Sequence, residues 1–319
     1  MRTCKPQTSA ILGVTAIAVL LLATPALASQ AKKGPLKVFI LAGQSNMQGQ
    51  GKIACDLKKN GGKGSLEYVV HHPATASRFK SVLDKDGKWV VRDDVWIWCL
   101  GRKGKLTVGY GATEGMIGPE LGFGLVMGDT FDNQVLLIKV AWGGKSLAKD
   151  FRPPSSGGDT GPSYKELIKN VKDVLANLKT QFPDYDGKGY QLAGFGWHQG
   201  WNDRINQAYN DEYEKNLANF IRDVRKDLGA AKLPFVIAET GMTGPSEKHP
   251  RALSLMRAQA AVAEYKEFQG NVAFVGTKEF YRPPEKSPSA QGYHWNNNAE
   301  TYYLIGTAMG DAMKKLCGK

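Results

Sequence analysis

Five short runs of consecutive apolar residues punctuate the chain, at 37–42, 135–141, 192–197, 235–239 and 272–276. Runs of that length without alternation suit strands covered on both faces, as in a parallel sheet. Between them the apolar spacing changes. Leu167, Val171, Val174, Leu175 and Leu178 recur at helical intervals, as do Tyr213, Leu217, Phe220, Ile221, Val224 and Leu228, with acids and lysines opposite. Segments 118–131, 251–268 and 299–316 predict three more helices. Strand and helix in alternation imply an α/β fold: a doubly wound, mainly parallel sheet of about five strands with helices on both faces. Residues 51–117 break the pattern, being Gly-rich with one aromatic stretch, Val95-Trp96-Ile97-Trp98, and read as an irregular insertion carrying at most an edge strand.

The first 28 residues stand apart. Arg2 and Lys5 precede an apolar run at 11–22 and then Ala26-Leu27-Ala28, the basic, apolar and small-residue order of a secretory signal peptide. The run is short of the roughly 18–20 residues that a membrane span needs. The expectation is therefore an exported protein, periplasmic or extracellular, in which 29–319 form one domain without stable membrane insertion. Composition agrees with a folded domain, at 42% hydrophobic and 23% charged residues.

Charge changes the picture little. Without Arg2 and Lys5 the chain holds 40 basic against 30 acidic residues, but the lysines are scattered among acids. That is a solvated surface and not a nucleic-acid stripe. Cys55, Cys99 and Cys317 lack C-x-x-C spacing, and adjacent His71 and His72 point apart on extended backbone, so neither metal nor cofactor is expected. An exported compartment would permit one bridge among the three cysteines, and spacing selects no pair.

In a doubly wound sheet, ligands bind beyond the carboxyl ends of the strands, and three motifs fall there. Gly43-Gln44-Ser45-Asn46-Met47-Gln48-Gly49 follows the first strand and places a serine hydroxyl on a tight turn, where a nucleophile or a capping serine would sit. Gly196-Trp197-His198-Gln199-Gly200-Trp201-Asn202-Asp203 ends another strand and offers amides, which donate to an oxyanion without carrying charge. Gly292-Tyr293-His294-Trp295-Asn296 precedes the last helix and places a histidine in a loop.

Together these blocks resemble the SGNH hydrolase superfamily, and more closely its sialate O-acetylesterase-like carbohydrate esterases. The carriers are VFILAGQSNMQGQG at 38–51, GPELGFG at 118–124, KVAWGGKSL at 139–147, GFGWHQGWND at 194–203 and GYHWNNNAETYYLIG at 292–306. The resemblance implies a flavodoxin-like three-layer sandwich over roughly 36–316. It also implies a metal-independent serine esterase that removes O-acetyl groups from a carbohydrate. Carried over residue by residue, Ser45 becomes the nucleophile and His294 the general base. The oxyanion hole draws on the Ser45 N–H and a glycine N–H, Gly144 among them, with Gln199 or Asn202 completing it and Gln44 beside them.

Two positions depart from the family pattern. Gln291 stands where many relatives have an aspartate three residues before the histidine, and Trp201 where others have a glutamate. The third triad member is therefore Asp203, or Glu239, or absent in a Ser–His dyad. Trp142, Trp197, Trp201 and Trp295 lie in or beside the blocks and suit either sugar stacking or core packing. Arg152 suits a substrate carboxylate or a structural ion pair. Against the esterase stand a glycan-binding protein with catalysis lost, motivated by the missing carboxylates, and a lipase or thioesterase, which would need a long apolar groove.

Overall fold

The structure, a computed structural model, describes residues 34–319, so the expected signal peptide lies outside the described residues. The strands are β1 (Leu36–Gly43), β2 (Gly51–Lys52), β3 (Arg92–Cys99), β4 (Arg102–Leu106), β5 (Met116–Ile117), β6 (Val135–Ala141), β7 (Tyr190–His198), β8 (Phe235–Ala238) and β9 (Val272–Val275). The α-helices are α1 (Ser45–Gln48), α2 (Leu66–His71), α3 (Pro119–Thr130), α4 (Pro162–Ala176), α5 (Leu178–Gln181), α6 (Trp201–Arg204), α7 (Gln207–Asp211), α8 (Tyr213–Asp227), α9 (Pro250–Ala263) and α10 (Ala299–Leu316).

The main sheet has seven strands in the order β4-β3-β6-β1-β7-β8-β9. All neighbours are parallel except the β3–β4 pair. All five expected strands are present. The two extra strands come from 51–117, which corrects the reading of that segment as an irregular insertion. β3 lies inside the sheet, with Val95 paired to Val135 and Ile97 to Leu137. β4 (RKGKL) closes the edge with charges, which discourage further pairing.

Side chains alternate along β1. Val38, Ile40 and Ala42 join Leu167, Val171, Leu217, Phe220 and Leu255 from α4, α8 and α9 in one core layer. Phe39 and Leu41 join Phe123, Met127, Ile305 and Met309 from α3 and α10 in the other. Both faces of the sheet are thus dry, which is why the strands read as continuous apolar runs. The α3–α10 pair approaches to backbone contact. A Cβ on Gly122 would lie 2.4 Å from the Tyr303 carbonyl, and one on Gly306 would lie 2.0 Å from the Pro119 carbonyl.

β6 and β7 follow one another in the chain yet lie on opposite sides of β1. The connections therefore diverge at the carboxyl end of β1, and this switch point opens a crevice. Gly43 pairs with Ala141 on one side and His198 on the other, so the ends of β1, β6 and β7 meet there.

Candidate active site

β1 ends at Gly43, whose φ of +153° favours glycine and where a Cβ would sit 2.2 Å from the His198 carbonyl. The chain turns through Gln44, whose N–H donates to that same carbonyl, and enters α1 with Ser45 first. Lys139 holds the far end of α1. Its Nζ donates to the Gln48 carbonyl at 2.7 Å, the Tyr110 carbonyl at 2.7 Å and Glu120 Oε2 at 2.6 Å. Lys139 and Glu120 are both shut off from solvent.

Ser45 itself is 7% exposed, and its Oγ is hydrogen-bonded neither to His294 nor to any other described residue. Its neighbour Asn46 points the other way. Asn46 Nδ2 donates to the Tyr293 carbonyl at 3.1 Å, and Asn46 Oδ1 accepts from the Tyr302 hydroxyl at 2.6 Å. That hydroxyl is also 3.2 Å from the His294 carbonyl. Asn46 therefore fastens the serine turn to the histidine segment, a role that the sequence reading missed.

His294 lies in a one-turn segment, Gly292–Asn297, in which Trp295, Asn296 and Asn297 have φ of +51°, +56° and +58°. Three successive left-handed residues without glycine are costly alone. Asn296 Nδ2 bonds the Arg282 carbonyl and Asn297 Nδ2 the Gln50 carbonyl, each at 3.0 Å, while Trp295 is fully buried over His198. Partial burial pushes the His294 pKa below its ordinary value. Its Nδ1 faces Gln291 Oε1 at 3.4 Å. His198 is no rival as base. It is fully buried and desolvation drives its pKa down to about 4.

Neither candidate carboxylate bonds His294. Asp203 is fully buried, its oxygens accepting the N–H groups of Leu147 and Ala148 at 2.9–3.1 Å and Gln199 Nε2 at 2.5 Å. Burial raises its pKa to about 6 against the opposing effect of these bonds. Its carboxylate holds the loop after β6 in place. Glu239 accepts from the N–H groups of Thr277 and Lys278, tying β8 to the chain beyond β9.

The two amides separate in the same way. Gln199 spends both amide hydrogens, on the Lys145 carbonyl and Asp203, while its Oε1 accepts from Tyr213. Asn202 Nδ2 donates once, to the Gly144 carbonyl at 3.0 Å, and keeps a second hydrogen on a partly exposed residue. Gln44 brackets the serine turn to α6. Its Nε2 donates to Asn202 Oδ1, and its Oε1 accepts the Gly200 N–H at 3.0 Å and that of Asn202 at 3.4 Å. Gly144 has φ of +69° and open space around its Cα.

The tryptophans divide too. Trp197 and Trp295 are buried, and Trp142 is partly buried against the core beside Phe151. Trp201 is partly exposed, with Tyr293 across from it. Arg152 is structural, bonded to Glu212 and to three carbonyls. Cys55, Cys99 and Cys317 are free thiols.

The fold is the three-layer α/β sandwich of the SGNH hydrolases, with Ser45 on the turn after the central strand and His294 on the segment before the last helix. A model of the family described as carbohydrate esterase, sialic acid-specific acetylesterase matches residues 35–315, and the chain belongs to that family. No curated protein matches the sequence. Three solved structures share the fold at low identity. A protein from Arabidopsis thaliana is 16% identical, with TM-score 0.55, 88% of this chain and 98% of that one covered. NanS is 12% identical, with TM-score 0.55 and coverage of 89% and 97%. A carbohydrate acetylesterase from Xanthomonas citri is 11% identical, with TM-score 0.54 and coverage of 89% and 57%.

Proposed function

We propose that this carbohydrate esterase is an exported serine O-acetylesterase working through an acetyl-enzyme on Ser45. The observation that supports it most is the fastening of the turn that carries Ser45 to the His294 segment, through Asn46 and Tyr302. Ser45 Oγ attacks the acetyl carbonyl while His294 takes its proton and returns it to the leaving sugar oxygen. Water then enters, His294 deprotonates it, and acetate leaves with Ser45 restored. Developing oxyanion charge falls to the Ser45 and Gly144 N–H groups and the spare hydrogen of Asn202, whose amide is the better placed of the two candidates. Gln291 takes the orienting position on His294, so Ser45 and His294 act as a dyad steered by an amide. The test is acetate release by the purified protein from acetylated xylan, O-acetylated sialic acid and a small aryl acetate. Silence on all three with a folded protein would overturn the esterase in favour of a glycan binder.

Two further results are expected. Asn202→Ala removes one oxyanion donor and lowers kcat about 10²–10³-fold, while Gln199→Ala acts mainly on stability; equal kcat losses would refute the division of roles. The second concerns pH. Because burial depresses the His294 pKa, the wild-type acid limb of kcat/KM falls below the ordinary histidine value of about 6.5. Gln291→Asp places a carboxylate on Nδ1, favours imidazolium, and so moves that limb upward. Above it, kcat/KM rises about tenfold, since a charge-assisted bond exceeds a neutral one by about 1.4 kcal/mol. An unchanged pH profile would show that residue 291 does not act on His294.

A further inference from the structure

Trp201 and Tyr293 lie 92 residues apart in the sequence and meet in the structure with ring centroids 5.8 Å apart, inclined at 44°. Tyr293 is 42% exposed, one of the few large apolar groups left open to solvent. Its ring is also 4.5 Å from that of His294, so the aromatic corner borders the base directly. The indole is held from behind. The Arg204 guanidinium lies 4.4 Å from the Trp201 centroid and is itself anchored on Glu247 at 3.4 Å. Arg204 and Glu247 are mostly buried, at 14% and 9% side-chain exposure.

We propose that this corner is the subsite for the sugar ring that carries the acetyl group, and that the ring it takes is a neutral pyranose. The proposal rests on the esterase reading of Ser45 and His294. A pyranose has C–H faces and a hydroxyl edge. Aromatic rings fixed beside the base bury the face and leave the edge in water. The charge of the corner decides between sugar classes. The cation stacked on it is already paired with Glu247, and on the loop after β6 Lys145 is paired with Asp150 and Arg152 with Glu212. A sugar carboxylate entering here would meet aromatic faces and ion pairs that are already formed, at a desolvation cost with little return.

The test compares kcat/KM on a mono-acetylated xylooligosaccharide, O-acetylated sialic acid and ethyl acetate, for the wild type, Trp201→Ala, Trp201→Phe and Tyr293→Ala. The wild type is expected to favour the xylooligosaccharide over the sialic acid. In both alanine variants the ratio of xylooligosaccharide to ethyl acetate kcat/KM falls tenfold or more, chiefly through KM, and Trp201→Phe recovers most of it. An unchanged ratio, or wild-type preference for the acidic sugar, would overturn the proposal. Failure of the esterase reading is separable. If no ester is turned over, saturation transfer from the protein to unacetylated xylotriose still reads the corner. Transfer lost in Trp201→Ala and Tyr293→Ala supports the subsite, and transfer absent from the wild type or unchanged in the variants refutes it.

Discussion

Ser45→Ala is expected to cut acetate release about 10⁴-fold or more, the scale on which serine hydrolases lose activity without their nucleophile. The protein should nonetheless melt close to the wild type. Removing a hydroxyl usually strands its partner, but Ser45 Oγ has none among the described residues, so no buried donor or acceptor is left behind. The change in stability should stay within about 1 kcal/mol. The paired measurement is kcat on an acetylated substrate beside a thermal melt. Retained activity would move the nucleophile elsewhere. Lost activity together with a large fall in Tm would mean that the serine is structural.

The second large effect is one of stability. Glu120→Ala leaves the Lys139 ammonium buried with two carbonyls and no counter-charge. Breaking a buried ion pair from one side costs about 3–5 kcal/mol, which urea denaturation would read directly. Adding Lys139→Met should return much of that loss, because an apolar side chain needs no partner in a dry site. Activity should stay low in the double variant, since the Gln48 carbonyl and the end of α1 have then lost their anchor. A Glu120→Ala protein as stable as the wild type would show that the pair carries no such weight.

The anchor also marks the boundary of what the sequence can tell. A lysine inside the apolar run VLLIKVA is a signal that a buried cation needs a partner, but nothing local names Glu120 or Gln48. Strands β1, β6 and β8 and the second half of β7 were readable because both their faces are dry, and β9 because its residues are apolar throughout. β3 was not, since its polar start, Arg92-Asp93-Asp94, hides an interior strand, and β4 carries three basic residues on an open edge. Ser45 and His294 stood out by their positions after a strand and before a helix. The choice between Gln199 and Asn202 did not, because it turns on which amide hydrogens are already taken, by groups as distant as Lys145 and Gly144. Asp203 misled for the same reason. Its neighbourhood in sequence suggested a triad, while its carboxylate is taken up by Gln199 and by N–H groups 55 and 56 residues away.

The glycine contact between α3 and α10 has a mechanical consequence. α3 carries Glu120, which through Lys139 fixes the far end of the serine turn, and α10 starts just beyond the segment bearing His294. Where Gly122 and Gly306 let the two helices touch, main chain meets main chain, with no side chain between them to shorten or lengthen. The pair works as a calliper of fixed opening. Its gap is set by van der Waals radii, and every larger residue at either position would force the jaws, and Ser45 and His294 with them, further apart.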